Sequence, residues 1–183
     1  ELFEAHGRFA MSDPGVAALA RERYAPPLYD TETLLAMPAG SLGYEYAKFL
    51  TSRGLSVEKI IHDFDPVPRD ARDADYLYSR RFRTHDIHHL IANFNTSMAG
   101  EIGVAAIYYV QLRNPVGPVL GAAVLSHAIL EPEWLAPITE AIQHGYRIGR
   151  DAKNLFGFKY EEGWERPLEE WRHEIGIEPA PEI

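Results

Sequence analysis

The sequence predicts an all-α fold, a single domain of roughly eight helices over residues 1–183. Three observations lead to it. Strand signals are missing: no Asn-Gly or Asp-Gly pair stands between alternating apolar runs. Helix starts and stops, written in Asp, Ser, Thr, Pro and Gly, recur along the whole chain. Between them apolar residues return at helical spacing, as Leu42, Tyr46, Phe49 and Leu50 do.

Taken in order, Asp13 before Pro14 caps a helix to about residue 24, with proline at the first helical position. Ser41 caps a second helix to about residue 52, and Gly54 stops it. Asp73 opens a short third through Tyr76, Leu77 and Arg80, and Thr84 caps a fourth over residues 85–92. Residues 93–95 read as a break. Thr96 then caps a long apolar helix to about residue 109, which ends before Pro115 because the residue preceding proline disfavours helical geometry. Pro118 begins a sixth helix toward residue 129, and Pro132 a seventh through Trp134, Ile138, Ile142 and Tyr146. Pro167 begins the last, through Leu168 and Trp171, stopping near Gly176. Residues 154–163 form a loop rich in glycine and aromatics, and residues 178–181 an extended, mobile tail.

A hydrophobic content of 46% and a charged content of 25% are ordinary for a soluble globular chain. The net charge of −9 repels phosphate backbones, so nucleic acid is not an expected partner. The absence of cysteine excludes disulfides, thiolate ligands and a cysteine nucleophile, so any metal must be held by nitrogen and oxygen. The weakly polar run over residues 116–130 is broken by Pro118, Ser126 and His127. It is shorter than the roughly 20 residues a spanning helix needs, so the chain is read as non-spanning. The chain opens at Glu1 rather than a methionine, so a targeting presequence is left open.

The informative stretch is Arg83-Thr84-His85-Asp86-Ile87-His88-His89, followed after eleven residues by Glu101. Residues four apart share a helix face, so His85 and His89 can aim both imidazoles at one point. Asp86 is about 100° around from His85, near enough to offer an oxygen from the same turn. On one straight helix Glu101 would stand about 24 Å away. The break at residues 93–95 lets a second helix fold back and bring Glu101 beside the first. Two imidazoles and two carboxylates suit zinc, iron(II), manganese or cobalt, and a position left open to water or substrate would make the site catalytic in type. The bland alternative, equally compatible with spacing alone, is a surface histidine with Glu101 in an ion pair. His88 lies off the shared face and reads as packing or solvent; His62-Asp63 reads as a loop; His127, His144 and His173 stand singly and read as structural.

With that motif in place, the chain resembles the coenzyme Q biosynthesis protein 4 family. The family hallmark is His-Asp, two residues, His, eleven residues, Glu, which His85, Asp86, His89 and Glu101 reproduce. The likeness continues through Pro38-Ala39-Gly40-Ser41-Leu42-Gly43, Tyr76-Leu77 with Arg80 and Arg83, Gly145, Gly163-Trp164-Glu165 and Trp171-Arg172. It departs at Thr84, where an acidic residue is usual, and at Ala105-Ala106-Ile107-Tyr108, where a Lys-x-Phe-Glu type run is usual.

The resemblance implies a helical fold with an apolar cleft for a polyprenyl tail beside one divalent metal, zinc favoured, held by His85, Asp86, His89 and Glu101. It implies a carbon–carbon lyase that removes the C1 carboxylate of a 4-hydroxy-3-methoxy-5-polyprenylbenzoate-type precursor, alone or coupled to C1 hydroxylation, in ubiquinone biosynthesis. The implied partners are that precursor, other ubiquinone biosynthesis proteins, a membrane surface met peripherally and a second copy of the chain. The implied location is the cytoplasmic face of a bacterial inner membrane, or the matrix side of the mitochondrial inner membrane in a eukaryote.

Within that frame Glu101 is the candidate catalytic ligand, and Arg80 and Arg83 are candidates to hold a substrate carboxylate or prenyl phosphate. Arg81 fits a solvated helix end equally well. Residues 102–110 and 116–129 are candidates for the tail cleft, and most of them serve equally well as core. Two alternatives stand beside the enzyme. One is a non-catalytic, prenyl-lipid-binding scaffold that organises the biosynthetic complex. The other is a metal-dependent phosphohydrolase of the His-Asp superfamily, which would need to recruit His62 and Asp151.

Overall fold

The computed structural model describes residues 2–27, 29–62 and 67–180. Regular structure among them is entirely helical, apart from an isolated bridge between Ser41 and Pro167. Ten α-helices are present among the described residues: α1 (Leu2–Ala10), α2 (Pro14–Glu22), α3 (Thr31–Leu35), α4 (Leu42–Thr51), α5 (Val57–His62), α6 (Asp73–Ala92), α7 (Met98–Leu112), α8 (Val116–His127), α9 (Leu135–Asp151) and α10 (Leu168–Ile175). Short 3-10 turns occupy Pro132–Trp134, Leu155–Gly157 and Tyr160–Glu162, two of them inside the expected aromatic loop. The helices beyond the expected eight are α1, α3 and α5. The Asp63 of the expected His62-Asp63 loop lies outside the described residues, and His62 closes α5.

Several expected caps hold. Asp13 accepts the Val16 amide at 3.0 Å and Ser41 the Tyr44 amide at 3.3 Å. The main correction concerns α6, which runs unbroken for 20 residues where two helices were expected. Thr84 is buried and does not cap: its hydroxyl donates to the Arg80 carbonyl one turn back at 2.9 Å, a bond made inside a continuing helix. Likewise Ser97, not Thr96, caps α7, accepting the Gly100 amide at 3.2 Å.

The turn between α6 and α7 is built tightly. Asn93 takes the left-handed conformation at φ 60°, closing α6. A Cβ on Gly100 would stand 1.9 Å from the Asn95 carbonyl oxygen, so the fold-back beneath Glu101 requires glycine there. α7 is then packed by α6, α8 and α9. α7 and α9 approach closely at Gly145, where a Cβ would stand 2.1 Å from the Gly103 carbonyl oxygen.

The expected mobile tail is also corrected as far as residue 180. Ile177 and Ala180 are buried, the Ala180 amide donates to the Ala92 carbonyl at 3.0 Å, and Asn93 Nδ2 donates to the Ala180 carbonyl at 2.7 Å. Arg172 of α10 donates to the Leu90 and Ile91 carbonyls at 2.7 and 3.0 Å. The C-terminal segment thus holds the Leu90, Ile91 and Ala92 carbonyls at the end of α6, beside His89. Among the described residues no helix is long and apolar enough to cross a membrane.

Candidate metal centre

α6 supplies His85 and His89 from successive turns, and the first turn of α7 supplies Glu101. Their three ligand atoms lie within 4.8 Å of one another. Glu101 Oε2 is 3.4 Å from His85 Nε2, and Glu101 Oε1 is 3.4 Å from His89 Nε2. These gaps are long for hydrogen bonds. They fit ligands sharing one ion: bonds of about 2.0–2.2 Å at tetrahedral angles set ligand atoms about 3.3–3.6 Å apart.

The second ring nitrogens are placed to support that use. His89 is fully buried; its Nδ1–H donates to the Phe94 carbonyl at 3.2 Å, while its Nε2 is buried without a hydrogen-bond partner. A neutral imidazole held this way presents the Nε2 lone pair toward Glu101. His85 Nδ1 lies 3.5 Å from Asp86 Oδ1. Asp86 therefore stands on the far edge of the His85 ring, at the nitrogen turned away from Glu101. Of the four groups expected to converge, three do. Adjacent residues on a helix diverge by about 100°, and here that divergence carries Asp86 past the meeting point. The His85 and Glu101 side chains are 31% and 36% exposed, so the triad is open on one side to water or substrate.

Electrostatics tie the triad together before any ion arrives. Burial disfavours charge on His85, but the Asp86 and Glu101 carboxylates prevail and raise its pKa to about 9. Burial likewise opposes charge on Glu101, and His85 and His89 prevail, lowering it to about 2. A raised histidine pKa stabilises the metal-free protein fully below the ordinary value near 6.5, and that contribution is lost as pH rises through about 9. A divalent ion needs the neutral ring and must displace this proton, whereas Glu101 stays ionised throughout the neutral range. Ion affinity is therefore expected to rise roughly tenfold per pH unit up to about pH 9, with release of one proton. Chelator-competition titrations at pH 6 and pH 8 check this, and equal affinities would contradict it.

Two arginines expected near the substrate are not brought to the triad. Arg80 is 2% exposed and forms a two-pronged ion pair with Glu161; its Nη2 also donates to the Phe158 carbonyl at 2.7 Å. Arg83 lines a small cavity with Arg80 and Arg23, and it lies about 200° around α6 from His85. Asp151 is an exposed surface residue paired with Arg150 at 2.6 Å, far from the role a phosphohydrolase would need.

His88, expected as packing or solvent, is packing: it is fully buried among Tyr108, Phe156 and Tyr160. Its Nδ1 lies 2.8 Å from the Tyr108 hydroxyl, and the Tyr108 ring stands edge-on to His85 with centroids 6.1 Å apart. The signal available in the sequence is spacing: Tyr108 is seven residues after Glu101, two turns along one face of α7.

A family model described as coenzyme Q (ubiquinone) biosynthesis protein Coq4 matches residues 12–181. The chain is similar to the mouse ubiquinone biosynthesis protein COQ4 homolog, mitochondrial, at 33% identity over 176 residues, covering 92% of this chain and 63% of the mouse protein. It is similar to the human homolog at 30% identity over 173 residues, again covering 92% of this chain and 63% of the relative. The chain thus spans less than two thirds of the length of these relatives. Its fold is similar to a crystal structure of a candidate ubiquinone biosynthesis protein from Nostoc punctiforme, with a TM-score of 0.83 and 27% identity over 96% of this chain and 81% of that one.

Proposed function

The chain belongs to the coenzyme Q (ubiquinone) biosynthesis protein Coq4 family, and we propose that it removes the C1 carboxylate of a polyprenylated hydroxybenzoate in ubiquinone synthesis. The observation that carries the proposal is the open triad: His85, His89 and Glu101 at metal-ligand spacing, with the buried Nε2 of His89 otherwise unpartnered. Three protein ligands with an open face are the pattern of catalytic rather than structural zinc sites.

An ion held there supplies Lewis acidity toward the ring carboxylate or the neighbouring phenolate, stabilising negative charge on the ring as carbon dioxide leaves. Glu101 and the two histidines would set its position, and the Asp86 carboxylate beside Nδ1 would orient His85. The C1–carboxylate bond breaks with its electron pair on the ring, where a proton then replaces it. Coupling to hydroxylation at C1 would draw on dioxygen and a reductant in addition.

The prenyl tail is proposed to lie between α7, α8 and α9, in an apolar cavity of about 390 Å³ lined by Ile102, Ala106, Gly117, Leu125, Ile142 and Tyr146. Ile102, which lines this cavity, directly follows Glu101 on α7 and stands about 100° around the helix from it, so the tail of a ring at the triad would pass around α7 to reach the groove. Peripheral contact with a membrane is supported by Val119, Ile129 and Leu130, which are 71%, 81% and 76% exposed on a stretch without Asp, Glu, Lys or Arg.

The test is to give purified, ion-loaded protein the carboxylated precursor and follow carbon dioxide release and lipid products by mass spectrometry. Release is expected to require the divalent ion and to stop with a chelator. Tight binding of the prenylated ring without turnover would favour the organiser reading.

A further inference from the structure

The face of α6 opposite the triad carries a second polar assembly. Arg80 and Arg83, with Arg23 and Tyr24 from the end of α2, enclose a cavity of about 20 Å³. That volume is on the scale of a single water or another atom-sized guest. Three donors on the residues that line it have no hydrogen-bond partner among the described residues: Arg23 Nε, Tyr24 Oη and Arg80 Nε are all buried and unbonded.

The remaining nitrogens of these arginines are used elsewhere. Arg23 Nη1 bonds the Asp73 carboxylate at 2.8 Å and Nη2 the Ala71 carbonyl at 2.5 Å, while Arg80 holds Glu161 and the Phe158 carbonyl. Arg80 also stacks its guanidinium over the Tyr24 ring at 5.4 Å. Each side chain is therefore fixed with its Nε–H or O–H left over.

Unpaired buried donors are costly, and several around one void call for a common acceptor. A water satisfies two donors but brings two protons of its own; the Tyr24 oxygen can accept one of them and the guanidinium groups neither. An anion accepts from every donor at once and is attracted by the guanidinium charge. We propose that this cavity is a binding site for a single small inorganic anion, a halide such as chloride, held by Arg23, Tyr24 and Arg80. It ties the segment after α2 to the middle of α6, five residues before His85, and it does not depend on the reaction proposed above.

Thermal unfolding of the ion-loaded protein tests the site, with chloride or bromide replaced by gluconate at constant ionic strength. A saturable rise of about 3 °C or more with halide is expected in the native protein. Tyr24→Phe keeps the ring under Arg80 and removes one donor, and it should abolish at least half of that rise. Crystals soaked in bromide should show an anomalous peak within hydrogen-bonding reach of Arg23 Nε, Tyr24 Oη and Arg80 Nε. A cavity holding only water, with no halide dependence, would overturn the proposal. So would a halide effect untouched by Tyr24→Phe with bromide bound only elsewhere, which would mean an adventitious ion only.

Discussion

Replacing Glu101 with glutamine is expected to yield a protein that folds and accumulates normally, binds a divalent ion far more weakly, and fails to restore ubiquinone synthesis. The substitution preserves size and hydrogen-bonding capacity but removes the charge. The Glu101 side chain is 36% exposed, so no buried charge is left unpaired in the scaffold and the stability change should stay within about 1 kcal/mol. The loss of ion affinity should be at least the roughly 10–100-fold that changes to outer partners cost, because Glu101 faces both imidazoles directly. If the ion were purely structural, binding free energy would be folding free energy and the melting temperature would fall steeply instead. Complementation of a strain lacking ring decarboxylation, scored with protein abundance and accumulated precursor, separates the two. A folded, abundant variant that restores full quinone synthesis would sink the catalytic reading.

How much of this arrangement the sequence discloses depends on whether the governing interaction is local. The spacing of His85 and His89 is a property of one helix, and the break at residues 93–95 is a local turn signal, so the triad is legible. Asp86 stands apart from the other three groups because neighbours in sequence lie about 100° apart on a helix, and that angle outweighs their proximity. The same angle, counted from His85 to Arg83, sets the arginine on the far side of α6 from the sequence alone. The continuity of α6 is hidden by Thr84, whose hydroxyl can either cap a helix or bond back within one, and only burial decides. The partner of Arg80 is not legible at all: Glu161 lies 81 residues on, in a stretch whose 3-10 turn gives little periodic signal.

That long-range pair should carry the largest effect on stability. Arg80→Met keeps an apolar stem in place but leaves Glu161, whose side chain is 7% exposed, without its countercharge, and it strips a donor from the Phe158 carbonyl. Breaking a buried pair from one side costs about 3–5 kcal/mol. At about 2–4 °C per kcal/mol for a chain of this size, the melting temperature should fall by about 6–20 °C. Adding Glu161→Leu should recover most of the lost stability, because a well-packed apolar pair often equals a buried ionic one. Calorimetry of the two variants beside the native protein measures both effects. An Arg80→Met protein that melts within a degree of the native one would mean that Glu161 is solvated in solution, and that the pair is not what joins α6 to the C-terminal segment.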